Sequence, residues 1–199
     1  MADMEKTGKN LEGRGFRVHR FASGAEAAEF LVQTLHGTSI GIGGSVTIDT
    51  LGVYDRLCES NEVFWHWKNH APETRERAGK AETYLCSANG VSENGEIVNI
   101  DGFGNRVAGT IYGPERVFLV VGRNKIAPDL TGAIDRARNI AAPLNARRLN
   151  RHTPCAVGEP RCHDCRSPEK ICGVMTVFFM PPTSIKEFHV LLVNEDLGY

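Results

Sequence analysis

Apolar positions along the chain follow two alternating patterns, one typical of helices and one typical of buried strands. After Ser23, which has capping-box spacing with Glu26, apolar residues repeat every three or four positions, as on one face of a helix. Residues 117–121 are instead uniformly apolar, which is the pattern of a strand covered on both faces in a parallel sheet. Because strands and helices alternate, the sequence predicts an α/β domain with a mostly parallel sheet flanked by helices.

The same patterns of apolar residues predict the remaining elements and the domain organisation. Strands are expected at residues 16–21, 39–43, 62–67, 117–121, 174–180 and 188–194, with two further strand arms joined by the turn at 93–95. Helices are expected from residue 23 to 37, at 47–59, at 72–82, and from 128 to a stop before Pro143. Residues 1–15 are interpreted as a flexible tail, with a frayed first helix as the alternative, and residues 16–199 as one domain. Residues 147–173 lack any apolar period and form a Cys-rich loop before the last strands.

Charge and length exclude several classes of function. The chain has 23 Lys and Arg residues against 24 Asp and Glu residues, for a net charge of −1, so it lacks the basic surface needed to bind nucleic acid or acidic lipid through bulk charge. No apolar run approaches the roughly 20 residues that a membrane span needs, and the first ten residues do not read as a signal peptide. We therefore expect a cytoplasmic protein.

Four of the six cysteines lie in one short stretch with the spacing C-x6-C-x2-C-x6-C: Cys155, Cys162, Cys165 and Cys172. In a reducing compartment such a cluster more often binds a metal or performs redox chemistry than forms structural disulfides. Four thiolates suit tetrahedral zinc or an iron–sulfur cluster, and the sequence does not decide between them. His152 and His163 are substitute ligands. A redox disulfide between Cys162 and Cys165, or four free thiols, are the alternatives.

Polar residues at predicted strand ends indicate a site for a small anion. The glycine-rich loop at residues 41–45 joins a strand to a helix, where backbone N–H groups can converge on an anion, although a simple tight turn capped by Ser45 or Thr47 explains it equally well. The carboxyl ends of strands in α/β sheets are where ligands usually bind. The candidate ligand-binding residues are Gly43, Gly44, Ser45, Asn89, Asn99, Asp101, Asn105, Arg106, Arg123, Asn124 and Lys125. The alternative is that the polar residues only cap turns or lie in solvated loops.

Trp65 and Trp67 alternate in a β-prone run and so share one face. We interpret them as core or subunit-interface residues and not as a surface on which a ligand stacks.

Several longer stretches resemble the LUD-domain family, which is associated with lactate utilization. The resemblance lies in GIGGS at 41–45, SANGVSENGEIVNIDGFGNRVAG at 87–109, VVGRNKIAPDL at 120–130, RNIAAPLNARRL at 138–149, TPCAV and CHDCRSPEKIC around the cysteines, and the terminal VNEDLGY. It implies a fold similar to that of ribose-5-phosphate isomerase and CoA transferases (the NagB/RpiA/CoA-transferase-like fold), in which an early glycine-rich loop contacts phosphate or acyl ligands.

The resemblance also implies a role in oxidising L-lactate to pyruvate, beside iron–sulfur redox partner proteins. It carries over no catalytic residue; Glu93 and Asp101 are the nearest candidates by chemistry alone. Two other functions stay open: an isomerase or acyl-transfer enzyme acting on a phosphorylated or CoA-linked substrate, and a non-catalytic ligand-binding module. The fold class is also compatible with a homodimer.

Overall fold

The computed structural model describes residues 3–199, and it contains two sheets and a series of short helices. The strands are β1 (Arg17–Phe21), β2 (Ser39–Ile42), β3 (Glu62–Trp65), β4 (Thr83–Ser87), β5 (Gly90–Ser92), β6 (Ile97–Asp101), β7 (Arg116–Gly122), β8 (Ile126–Ala127), β9 (Val174–Phe178) and β10 (Glu187–Val193). The helices are α1 (Met4–Gly13), α2 (Gly24–Thr34), α3 (Val46–Leu51), α4 (Tyr54–Cys58), α5 (Thr74–Lys80), α6 (Asn105–Ile111), α7 (Leu130–Arg136), α8 (Ala142–Arg148) and α9 (Pro154–Val157).

The larger sheet has six strands in the order β1-β10-β7-β4-β2-β3, and every pairing in it is parallel. Its central strand β7 divides its side chains between two cores. Val117, Leu119 and Val121 pack on one face, while Phe118 and Val120 pack on the other. A strand of this kind is apolar at every position because neither face meets water. The predicted α/β fold with a mostly parallel sheet flanked by helices is thereby confirmed.

The smaller sheet has four strands in the order β8-β5-β6-β9 and is mostly antiparallel. One face contributes Val91 and Ile97 to the core shared with the large sheet. The other face packs Val98 and Ile100 against the helical segment that runs from α7 to α8. The Cys-rich segment leads directly into β9, which pairs with β6 in this sheet. This connection keeps residues 147–173 near the site described below.

The amino-terminal segment differs from the flexible tail predicted for residues 1–15. Residues 4–13 form helix α1, whose start is capped by the Asp3 side chain and whose Thr7 and Leu11 are fully buried. The low apolar content of this segment favoured the tail over the alternative of a first helix, because only one face of the helix contacts the rest of the fold. Residues 1–2 lie outside the described residues.

Two predicted helix boundaries are wrong for identifiable reasons. The helix expected at 47–59 is divided into α3 and α4, because Gly52 takes a left-handed conformation with φ of 64°. The helix expected to stop before Pro143 instead continues to Arg148 through a π-helical turn at Ala137–Ala141. A proline ring clashes with the carbonyl four residues earlier in a regular α-helix, and the wider π turn relieves this clash.

Within residues 3–199, none of the helices combines the length and the apolar character needed to cross a membrane.

Close packing between β2 and α5 provides a stability test. A Cβ atom on Gly41 would lie 2.0 Å from the Ala78 carbonyl oxygen, whereas one on Gly79 in α5 would meet nothing within 4 Å. We expect Gly41→Ala to lower the free energy of unfolding by about 1–3 kcal/mol, because backbone must shift to admit the methyl group. The matched control Gly79→Ala should be neutral or stabilising by up to about 1 kcal/mol, because alanine is the better helix former. Urea unfolding of both variants checks this, and equal effects would contradict the described contact.

Candidate functional site

An open cleft of about 870 Å³ lies at the carboxyl edge of the large sheet. Its walls come from the segments that follow β2, β3, β4 and β7, together with the end of β6, the start of α6, helix α8 and residues 168–171 of the Cys-rich segment. Parallel strands bring their carboxyl ends to one edge, and α/β domains usually bind ligands there. The cleft is thus placed by the sheet topology and walled partly by the smaller sheet.

The cleft is cationic although the whole chain is nearly neutral. Seven Lys and Arg residues line it against three acidic residues: Lys68, Arg75, Arg106, Lys125, Arg148, Arg151 and Lys170 against Asp49, Asp101 and Glu169. Each acid already has a partner, since Asp49 pairs with Lys68, Glu169 bonds His152, and Asp101 accepts backbone N–H groups. Within residues 3–199, Arg75, Arg151 and Lys170 form no ion pair with a carboxylate, so their charge is available to a ligand.

Lys125 lies at the floor of the cleft and is 2% exposed. It ends the short 3₁₀ turn Arg123–Lys125 after β7, and its Nζ donates to Thr47 Oγ1 at 2.8 Å, to Ser87 Oγ at 2.9 Å and to the Ala88 carbonyl at 3.2 Å. All three partners are neutral, and no carboxylate of residues 3–199 forms an ion pair with this amine.

The surroundings of Lys125 favour its uncharged form. Burial, and then the positive charges of Arg136 and Arg106, lower the pKa of Lys125 to about 7. An amine with such a pKa exists in both protonation states at neutral pH, which is what a proton donor, a proton acceptor or an amine nucleophile requires.

Arg106 joins the ends of three strands and has little hydrogen-bonding capacity left for a ligand. Its Nη1 donates to the Ser87 carbonyl at 3.1 Å and to Asn99 Oδ1 at 2.8 Å, while its Nη2 donates to Asn89 Oδ1 at 2.7 Å and to the Ile100 carbonyl. Asn99 is fully buried beneath it. An internal polar network is therefore formed by Arg106, Asn89 and Asn99. Arg106 contributes positive charge to the cleft wall, but it has few N–H donors free for a ligand.

Asp101 lies in the cleft, but both of its carboxylate oxygens are used by the backbone. Its Oδ1 accepts from Gly102 N at 2.7 Å, and its Oδ2 accepts from the backbone N–H groups of Arg106 and Val107 at the start of α6. The carboxylate thus holds the loop between β6 and α6. Asn105 also lines the cleft, and its carbonyl accepts from the Tyr84 hydroxyl at 3.2 Å.

The glycine-rich loop combines packing and cleft-lining positions. Gly43 is required for close approach, because a Cβ there would lie 3.0 Å from the Tyr84 hydroxyl oxygen and 3.1 Å from Arg106 Cγ. Gly44 and Ser45 line the cleft, and Ser45 Oγ caps α3 by accepting from Ile48 N at 3.3 Å. The capped strand-to-helix turn considered from the sequence is present, and Gly44 lies against Trp67 and His66, which a Cβ there would contact at 3.4–3.6 Å.

Besides Gly43 and the buried Asn99, which do not line the cleft, three more predicted site residues lie outside it. Glu93 accepts from Asp3 N at 3.0 Å and pairs with Lys6 Nζ at 3.1 Å, so it anchors helix α1 and is not positioned to act on a ligand in the cleft. Arg123 pairs with Asp196 at 2.9 Å. Asn124 holds the carboxyl-terminal segment through the backbone of residues 197 and 198. Arg123 and Asn124 follow β7 as predicted, but these long-range partners leave no signal in the local sequence pattern.

The structure adds cleft residues that the sequence reasoning missed. His66 and Trp67 follow β3, and Arg75 lies in α5. The sequence predicts a charged helix at residues 72–82, but nothing in its pattern indicates a site. Trp65 is buried in the core as expected, whereas Trp67 faces the cleft and lies under the Arg148 guanidinium at 4.5 Å. Burial and then the charge of Arg75 lower the pKa of His66. Strand alternation would place both tryptophans on one face. They differ because the strand ends at Trp65, so Trp67 no longer follows the alternation.

The four clustered cysteines approach one another without forming a preassembled metal site. All are half-buried free thiols, and Cys162 and Cys172 border a second cavity of about 300 Å³. Burial raises the pKa of the Cys172 thiol, and the other three thiols are near enough to raise it further. Arg138 Nη2 donates to Cys162 Sγ at 3.3 Å. Nevertheless, no three His, Cys, Asp or Glu side chains among residues 3–199 are arranged to hold a metal ion.

Fold and cleft together define an α/β domain whose parallel sheet presents a cationic cleft at its carboxyl edge. The family model of the LUD domain matches residues 4–193, and the chain therefore belongs to the LUD-domain family. A crystal structure of a DUF162 family protein from Deinococcus radiodurans has a similar fold, with a TM-score of 0.56 at 12% identity over 96% of this chain and 95% of that one. No curated protein has detectable sequence similarity to the chain.

The buried amine predicts a specific pH dependence of stability. Because the pKa of Lys125 is about 7 in the folded state and about 10.4 when unfolded, the unfolded chain binds more protons between these values. The free energy of unfolding should therefore rise with pH across this window, by at most about 1.4 kcal/mol per pH unit from this residue. Lys125→Met removes this contribution, so urea unfolding of the two proteins at pH 6, 8 and 9 isolates it. A stability difference that stays constant with pH would show that Lys125 has an ordinary pKa.

Proposed function

We propose that this chain binds a small anionic metabolite in the cleft and, as a LUD-domain protein, takes part in L-lactate oxidation with iron–sulfur redox partner proteins. The observation that carries the proposal is a set of three cleft cations whose side chains form neither a hydrogen bond nor an ion pair within residues 3–199: Arg75, Arg151 and Lys170. Their N–H donors are free, so a carboxylate or phosphate ligand would form charge-assisted hydrogen bonds with them.

The arrangement of the cleft favours a small anion over a polyanion. This concave region has seven cations against three acidic residues, while the chain as a whole carries a net charge of −1. A charge-assisted hydrogen bond contributes about 1.5–3 kcal/mol, so two or three of them suffice for a micromolar to millimolar metabolite. Trp67 and the exposed Phe103, which lies 5.0 Å from the Arg75 guanidinium, supply apolar surface at the same site.

The isomerase or acyl-transfer alternative has less support from the site. Such enzymes use a positioned acid, base or nucleophile. Asp101 has its oxygens occupied by backbone donors and Glu93 lies elsewhere, so neither carboxylate serves that role without rearrangement. The cleft therefore supports anion binding more directly than carboxylate-based catalysis.

Two arginines on α5 form a matched pair for testing anion binding. Arg75 lines the cleft, whereas Arg77, two residues later, pairs with Glu62 and lies over Phe64 outside it. We expect Arg75→Gln to weaken binding of L-lactate and pyruvate by about tenfold or more, since loss of one charge-assisted bond costs at least about 1.4 kcal/mol. Arg77→Gln should leave affinity unchanged. Calorimetric titration measures both. Equal effects, or no binding of either anion to the unaltered chain, would contradict the proposal.

The metal at the four cysteines stays a prediction, supported by the clustering of the thiols around Cys172 and by the positive charge of Arg138 beside them. Since the thiols are not arranged as ligands, metal binding would require residues 155–172 to close further.

Metal content tests this prediction directly. We expect protein purified without oxygen to hold a stoichiometric metal, with a brown iron–sulfur spectrum or colourless zinc identifying which. Cys162→Ser should lower the metal content, because it removes one of the four ligands. The control Cys58→Ser alters an exposed thiol outside the segment and should not change it. Metal-free protein with all four clustered thiols reactive towards a thiol reagent would refute the prediction.

A further inference from the structure

Lys125 differs from the other two cleft lysines in its surroundings. Lys68 is paired with Asp49 at 3.2 Å and its side chain is 42% exposed, while Lys170 is only half-buried. Lys125 is buried on the cleft floor with neutral partners only. A buried lysine is usually paired with a carboxylate, because an isolated buried ammonium is costly. An unpaired one facing a cleft indicates an amine that functions in its neutral form.

We propose that the Lys125 amine forms an imine with the carbonyl carbon of a small 2-oxo acid held in the cleft. The inference rests on the proposed function, because the carboxylate of the 2-oxo acid is the anion that the cleft cations would bind. It goes further by naming the chemical class of ligand, a carboxylate next to a ketone, and the atom that reacts with it.

The partners of Lys125 suit both of its protonation states. As an ammonium, the group has three protons to donate, and Thr47 Oγ1, Ser87 Oγ and the Ala88 carbonyl accept all three. As a neutral amine it has a lone pair. The Thr47 hydroxyl, whose own bond to the Leu197 carbonyl is long at 3.2 Å, can rotate to donate to that lone pair. The Ser87 hydroxyl is less free, since it donates to the Val120 carbonyl at 2.6 Å.

The step balances without an additional reagent. The Nζ lone pair attacks the carbonyl carbon, and the carbonyl oxygen takes up the proton that nitrogen loses, with the Thr47 hydroxyl placed to relay it. The resulting carbinolamine eliminates water, leaving a C=N double bond between the ligand and Lys125. No electrons are gained or lost, and hydrolysis reverses the step. The shifted pKa agrees with this chemistry, since at pH 7 the neutral fraction of Lys125 would exceed that of an ordinary lysine roughly a thousandfold.

Reductive trapping tests the proposal on the full chain. Pyruvate and sodium cyanoborohydride at neutral pH should convert the imine into a stable secondary amine, detected by mass spectrometry as one reduced pyruvyl group. Trypsin does not cleave after an alkylated lysine, so the adduct should appear on an undivided peptide spanning residues 124–136. L-lactate is the matched control ligand, because it has the carboxylate but a hydroxyl in place of the ketone. We expect labelling of Lys125 at least about tenfold above that of Lys68 or Lys170, in keeping with its larger neutral fraction.

Variants and binding measurements separate the possible failures. Lys186→Met, at an exposed lysine outside the cleft, should retain the adduct at Lys125, whereas Lys125→Met should lose it. Because the adduct is also located by peptide in the unaltered chain, the test does not depend on the second variant folding. Pyruvate that binds by calorimetry but is not trapped, or is trapped equally on all lysines, would overturn the imine and leave the proposed function standing. Absence of both binding and trapping would overturn the two together.

Discussion

The hydrogen bonds of Lys125 connect the elements on which the cleft depends. Its Nζ contacts Thr47 in α3, Ser87 at the end of β4 and the Ala88 carbonyl, while its own backbone follows β7. One side chain thus fixes the spacing between strand ends that are adjacent or nearly adjacent in the large sheet. Arg106 connects the end of β4 in the large sheet with β6 and the residue before β5 in the smaller sheet. All of its partners there are neutral oxygens. The floor of the cleft is therefore built from cations that have no internal counter-charge.

This construction has an energetic consequence. A buried cation bonded only to neutral groups raises the free energy of the empty site, and a bound anion or the loss of a proton relieves it. Arg136 belongs to the same group: burial lowers its pKa to about 10, and its Nε donates to the Asn124 carbonyl at 2.7 Å. The proposed anion binding and the proposed imine of Lys125 both follow from one constraint, positive charge held at the carboxyl edge of the sheet.

The sequence predicted those features that depend on local pattern. The alternation of elements, the doubly buried β7 and the capping of α2 by Ser23 follow from periodicity and spacing, and the structure agrees with each. The position of Lys125 after β7 also follows from the sequence.

The burial of Lys125 could not be predicted, because it depends on Thr47 and Ser87, which are 78 and 38 residues away along the chain. Glu93 was misjudged for the same reason, since its partners belong to the amino-terminal helix. Pro143 lies within a helix because the π turn before it accommodates the ring.

The most direct test of this account is the titration of Lys125 itself. Nuclear magnetic resonance of protein labelled at its lysine side chains follows the Cε and Nζ signals with pH, and Lys125→Met assigns the signal. The account predicts one lysine with a pKa near 7, as burial and the charges of Arg136 and Arg106 require, and a higher pKa for that lysine when an anion is bound beside it. A Lys125 signal that titrates near 10, with or without ligand, would contradict the central claim.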